Sequence, residues 1–153
     1  MAYILAFLIG VVTGLRSMTA PAVVCWAARM GWVPLSDSGL AWMGSVPAVA
    51  IFSLGAIGEL IADKLPKTPS RKAPPGFIAR IAMGALCGAA LGVPSHDFVP
   101  GLVAGVCGAV AGTLGGYEFR SRLVRATGGN DLRIALLEDA LAIGGALLIV
   151  TRI

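Results

Sequence analysis

Charge is scarce in this chain. Lys, Arg, Asp and Glu together make up 13% of its 153 residues, and 57% are hydrophobic. The mean hydropathy is +0.86. Soluble domains carry about 25% charged residues, so this composition points away from them and toward the multi-pass membrane class. Histidine is rarer still: His96 is the only one. The hydroxyls of Ser17 and Thr19 therefore have no imidazole in their own apolar run, and no HExxH, GxSxG or phosphate-cradling loop occurs. No catalytic residue is assigned, and enzymatic chemistry is not expected. The three cysteines, Cys25, Cys87 and Cys107, all fall in apolar stretches and form no CxxC, which argues against a zinc site or a disulfide framework. They read as small packing residues, with Cys87 and Cys107 at similar depth on consecutive spans and within reach of each other. No metal or cofactor is expected. The N-terminus lacks a basic n-region and a small-residue cleavage site, so it reads as a retained first span. Net charge is +4, but no interleaving of basic and aromatic residues marks a nucleic-acid face.

What remains is a succession of apolar segments, enough for about five spans of roughly 20 residues in a single transmembrane domain covering 1–153. The expected fold is an all-α integral membrane protein. Its first span, about Tyr3–Gly31, is too long for one straight helix and carries Pro21 near its middle. It is expected to be kinked, or split into two half-helices, near Arg16–Pro21. The second span covers about Trp42–Ala62, the third Phe77–Val93, the fourth Val99–Phe119 and the fifth Leu132–Val150. Glycines recur at four-residue spacing in the third (Gly84, Gly88, Gly92) and mostly so in the fourth (Gly101, Gly105, Gly108, Gly112, Gly116). Such stripes let helices approach closely and predict a tight hairpin. Asp131 is placed to cap the last helix.

Basic residues set the expected orientation. Lys64, Lys67, Arg71, Lys72 and Arg80 flank one connection; Arg120, Arg122, Arg125 and Arg133 flank another. The positive-inside rule puts loops 64–77 and 120–133 in the cytoplasm. With five spans, the N-terminus is then cytoplasmic and the C-terminus outside.

Charges inside apolar spans are costly, and by default they mark function or a pair. Arg16 stands out, in the stretch Gly14-Leu15-Arg16-Ser17-Met18-Thr19-Ala20-Pro21. Depth counting puts it near mid-bilayer, with Glu138 or Asp139 as the expected partner and Glu59 in reserve. Asp63 shares a helical face with Glu59 at i+4, and Glu118 lies near the surface. Arg16, Ser17, Thr19, Glu59, Asp63, Glu118, Glu138 and Asp139 thus form the candidate pathway or buried ion-pair cluster.

The same Arg16 stretch, taken with Gly58-Glu59-Leu60-Ile61-Ala62-Asp63-Lys64-Leu65-Pro66 and Thr68-Pro69-Ser70-Arg71, resembles a bacterial membrane family, domain of unknown function 4126. Gly116-Tyr117-Glu118 and Leu137-Glu138-Asp139-Ala140 are similar to it as well. The resemblance covers nearly the whole chain. It implies a small integral membrane protein and carries no assigned activity or site residues.

The expected function is a small transporter or channel of the bacterial inner membrane, for an unidentified small solute or ion. The alternatives are an accessory subunit whose buried charges only hold helices together, and a membrane enzyme acting on a lipid headgroup. Membrane lipid is the expected partner, and a homodimer would help five short spans enclose a pathway.

Overall fold

The computed structural model describes residues 1–64, 73–126, 128 and 131–153. Among them all regular structure is helical: α1 (Ala2–Leu15), α2 (Thr19–Arg29), α3 (Val46–Ala62), α4 (Pro74–Gly92), α5 (Phe98–Ala126) and α6 (Asp131–Val150). Short 3-10 turns occupy Ala41–Gly44 and Val93–Ser95. The prolines explain several of the starts. Pro21 is third in α2, Pro47 second in α3, Pro74 and Pro75 open α4, and Pro100 is third in α5. In a first turn the missing N–H has no intrahelical acceptor to lose.

The segment 3–31 is interrupted near Arg16–Pro21, as one of the two expected forms had it, but its halves do not run end to end as one span. It folds into two antiparallel legs, α1 and α2, joined at Arg16–Met18. Thr13 on α1 faces Gly84 on α4, where an added Cβ would lie 3.1 Å from its hydroxyl. Cys25 on α2 lies beside Cys87, almost one turn further along α4. The chain therefore descends to Arg16 and climbs back. Pro21 marks the start of the second leg and no kink. The count is six helices where five spans were expected, because only Arg16, Ser17 and Met18 separate the two legs, too few residues to read as a loop between spans.

A three-helix centre of α1, α4 and α5 holds the fold together. The glycine stripes are its contact surfaces. On the α4 side, an added Cβ at Gly84 would come within 2.6 Å of the Ala109 Cβ and 2.8 Å of the Gly105 carbonyl oxygen. On the α1 side, Gly108 and Gly112 of α5 lie against the backbone of Phe7 and Val11, and Gly10 and Gly14 against Gly105 and Ala109–Thr113. The expected α4–α5 hairpin is present, closed by a tight turn in which His96 takes φ +59°. One α5 face serves α4 and another serves α1, so the long stripe is used twice.

These registers fix direction. Positions 7, 11 and 14 meet 108, 112 and 113 in increasing order, so α1 runs parallel to α5. Tyr3 lies beside Asp97, at the start of α5. The N-terminus thus shares an end of the bundle with the 93–97 turn, opposite Lys64 and Ala126. It was expected on the side of loops 64–77 and 120–133, and the extra leg reverses it. The C-terminus of α6 lies at the same far end, since Gly145 is near Val12 and Asp139 pairs with Arg16. Lys67, Arg71, Lys72 and the expected side-chain cap by Asp131 lie outside the described residues.

α2 and α6 flank the centre, and α3 packs on α2 and the 41–44 turn. Its face bearing Ile51, Leu54, Ile57 and Ile61 is exposed. Cys87 is buried while Cys107 is exposed, and both are free; Cys25 is the thiol beside Cys87. Pro74–Ser95 (22 residues) and Phe98–Ala126 (29 residues) are long and apolar enough to cross a bilayer; α1 and α3 are shorter apolar helices.

Candidate functional site

The break between α1 and α2 gathers the buried charge. α1 ends at Leu15, and Arg16 turns extended (φ −141°, ψ 111°) while its amide still donates to the Val12 carbonyl at 2.8 Å. That turn sends the guanidinium sideways out of the helix path. Its side chain is fully buried and is held by two carboxylates from different helices: Nη1 by Asp63, which follows the last turn of α3, and Nη2 by Asp139 of α6. The planar fork of arginine suits such bridging, which a lysine cannot reproduce. Asp139 also accepts from Lys64 Nζ at 3.1 Å, and Lys64 donates to the Leu60 carbonyl at the same distance.

Glu59, one turn before Asp63, does a different job. Its Oε1 accepts the Ser17 amide at 2.8 Å and the Ser17 hydroxyl at 2.7 Å, and its Oε2 accepts the Met18 amide at 2.8 Å. These amides lead into α2, where orphan donors and the positive end of the helix dipole favour an anion. The Glu59 carboxylate fills that place. The i+4 spacing of Glu59 and Asp63 therefore lets one face of α3 grip the break twice, through backbone and through guanidinium.

Arg16 pairs with Asp139, one of its two expected partners, and with Asp63, a cluster member not named as its partner. Glu59 was expected in reserve for Arg16 and instead binds backbone. Glu138 is buried and lies 3.6 Å from Arg120 Nη1. Thr19 is buried with its hydroxyl unpartnered. Glu118 does not join the cluster: it is exposed and pairs with Arg122, one turn on, at 3.5 Å. His96 lies at the opposite end of the bundle from Ser17 and Thr19. Lys64 and the buried Arg80 were read as loop charges, yet both belong near this level. Arg80, seventh residue of an apolar helix, was recognisable by its depth.

Along the bundle the site lies a few ångströms past the middle. Arg16 follows 14 helical residues, about 21 Å below the N-terminal end at 1.5 Å per residue. Helices α4, α5 and α6 continue past its level by about 9, 15 and 12 Å, counted from residues 80, 116 and 139 to their ends on that side. Among the described residues no group of three or more His, Cys, Asp or Glu side chains is arranged to hold a metal. The arrangement holds a buried guanidinium between two carboxylates.

Among known families, the one described as Domain of unknown function (DUF4126) matches residues 4–152. No curated protein and no solved structure matches.

Proposed function

The chain belongs to the DUF4126 family over nearly its whole length, and from that footing we propose an integral inner-membrane protein that moves a small solute or ion, with Arg16 as its closing latch. Lys64, Arg80, Arg120, Arg122, Arg125 and Arg133 collect at one end of the bundle, against Arg29 and Arg152 at the other. The positive-inside rule makes the first end cytoplasmic and puts both termini outside. Apolar surface on α3 and α5, including Leu54, Ile57, Val103 and Leu114, then faces lipid.

The observation that carries transport is the position of Arg16. It sits at the tip of a helical hairpin, held by carboxylates from two other helices. A buried ion pair is no more stabilising than apolar packing of the same volume. Charge placed at a hairpin tip is better suited to a contact that opens and closes, and broken helices of this kind recur at transport sites. The second reading is a permanent helix clamp, favoured by the direct pairing of Arg16 with both carboxylates.

The two readings separate in liposomes containing the purified protein, using a pH-sensitive dye for protons and a potassium-sensitive dye for cations. Under the latch reading, Asp63→Asn raises leak above wild type, because the neutral amide weakens closure. If Asp63→Asn lowers only the melting temperature, and neither dye responds above empty liposomes, the clamp reading replaces it.

A further inference from the structure

The end of the bundle away from Arg16 carries a cleft that the transport reading leaves unused. Its volume is about 400 Å³, and it lies between the end of α2 and the start of α3, lined by Ala28, Arg29, Leu35, Ser36, Gly44 and Ser45 among others. Arg29 is the only charged residue in the lining. It is exposed and makes no hydrogen bond or ion pair among the described residues. Ser45 caps α3 by accepting from the Ala48 amide at 3.3 Å, which leaves its hydroxyl proton free to donate outward. Ser36 adds a second exposed hydroxyl. Asp37 follows Ser36 but is absent from the lining. One cation and two hydroxyl donors around an open cleft are complementary to a phosphate ester.

The surroundings indicate where such an ester comes from. Trp26, Trp32 and Trp42, the only tryptophans of the chain, all lie within three residues of the lining in sequence, and each is 45–47% exposed. Half-exposed tryptophans at one end of an apolar bundle sit at the headgroup level of a bilayer. Trp26 is fixed there by its indole N–H, which donates to Ser53 Oγ at 3.1 Å.

We propose that this cleft binds the phosphate of an anionic phospholipid headgroup in the outer leaflet, with Arg29 as its charged contact. The choice of lipid over a free phosphate ester rests on the membrane reading above.

Tryptophan fluorescence reads this end alone, because it holds every tryptophan. The full-length protein is reconstituted into phosphatidylcholine vesicles containing increasing fractions of brominated phosphatidylglycerol, or of brominated phosphatidylcholine as reference. Preferential quenching by the glycerol lipid is expected, with half-quenching at a mole fraction lower by about tenfold, the size of one charge-assisted contact. Arg29→Gln should abolish the preference and Arg29→Lys retain most of it. Arg29 is exposed, so neither variant threatens the fold. Equal quenching by the two lipids in wild type overturns the proposed preference for an anionic headgroup, since both lipids carry the phosphate diester. Loss of the preference on adding millimolar inorganic phosphate, at constant ionic strength, overturns the lipid assignment in favour of a soluble ester. Failure of the protein to float with vesicles, with no quenching by either lipid, counts against the membrane reading itself and is distinct from both.

Discussion

Glu59 and Ser17 are joined twice, since the same carboxylate oxygen accepts both the backbone amide and the hydroxyl of Ser17. With the Met18 amide on the other oxygen, one side chain satisfies the donors exposed where the chain reverses between α1 and α2. Glu59→Leu strands two amides in a part-buried turn, and each stranded donor costs about 1–3 kcal/mol. Glu59→Gln keeps one acceptor and should lose about half as much. Chemical or thermal denaturation of the purified protein in detergent gives the order wild type, Gln, Leu; equal melting of Gln and Leu would show that the amides do not depend on this acceptor.

Arg16→Met leaves Asp63 without its guanidinium and Asp139 with Lys64 alone. Removing one partner of a buried pair costs about 3–5 kcal/mol, because the remaining charge stays desolvated. Arg16→Lys should recover only part of this, since an ammonium cannot bridge both carboxylates. The triple variant Arg16→Met, Asp63→Asn, Asp139→Asn should be more stable than Arg16→Met alone. A triple variant that melts no higher than the single one would show that the two acids are not penalised by their burial.

The glycines separate into contacts and spacers. Gly105→Ala and Gly108→Ala drive a methyl into the facing backbone of α4 or α1, which overpacks the centre by about 1–3 kcal/mol or more. At Gly58 and Gly115 an added Cβ meets nothing within 4 Å, so alanine there should be neutral or stabilise by up to about 1 kcal/mol. Melting temperatures of the four variants check this, and destabilisation by Gly115→Ala equal to that by Gly105→Ala would contradict the packing.

How much of this was legible in the sequence depended on whether neighbours in the chain carried the signal. The four-residue glycine spacing announces close helix contact without any tertiary knowledge, and it identified the α4–α5 hairpin. It could not say that Gly108 and Gly112 face α1, because that depends on α1 running parallel to α5. Pro21 is ambiguous by itself: a kink and a helix start both tolerate it. The reversal at Arg16–Met18 is too short to read as a polar loop, and the partners of its charge and amides, Glu59, Asp63 and Asp139, lie over 40 residues away. Depth counting along residues 3–31 set Arg16 near mid-bilayer and pointed to Glu138 or Asp139, with Glu59 in reserve, leaving Asp63 unnamed as a partner. Glu118 looked like a cluster member by composition alone, yet its helix face turns it outward to Arg122.

The reversal is directly testable by topology. The structure places both termini at the end opposite Lys64 and Ala126. Single cysteines at Ala2 and Thr151, in a background with the three native cysteines removed, should label together from one side of intact membranes with a charged maleimide. A cysteine at Arg122 should label only from the other side. Labelling of position 2 with position 122 would restore the single kinked first span.

The pairing of α1 with α5 has a consequence for how the chain is made. Gly10 rests against Gly105, a residue that leaves the ribosome about 95 positions later. The first helix therefore lacks its α5 contacts until α2, α3 and α4 have been made. A nascent chain halted before Phe98 has both legs of the hairpin, Glu59 to cap its tip and the α4 face beside Thr13, but lacks the α5 surface on which Gly10 and Gly14 rest. Maturation of the bundle is thus a late event, set by the arrival of its longest helix, and contacts this distant in sequence are the slow step of assembly.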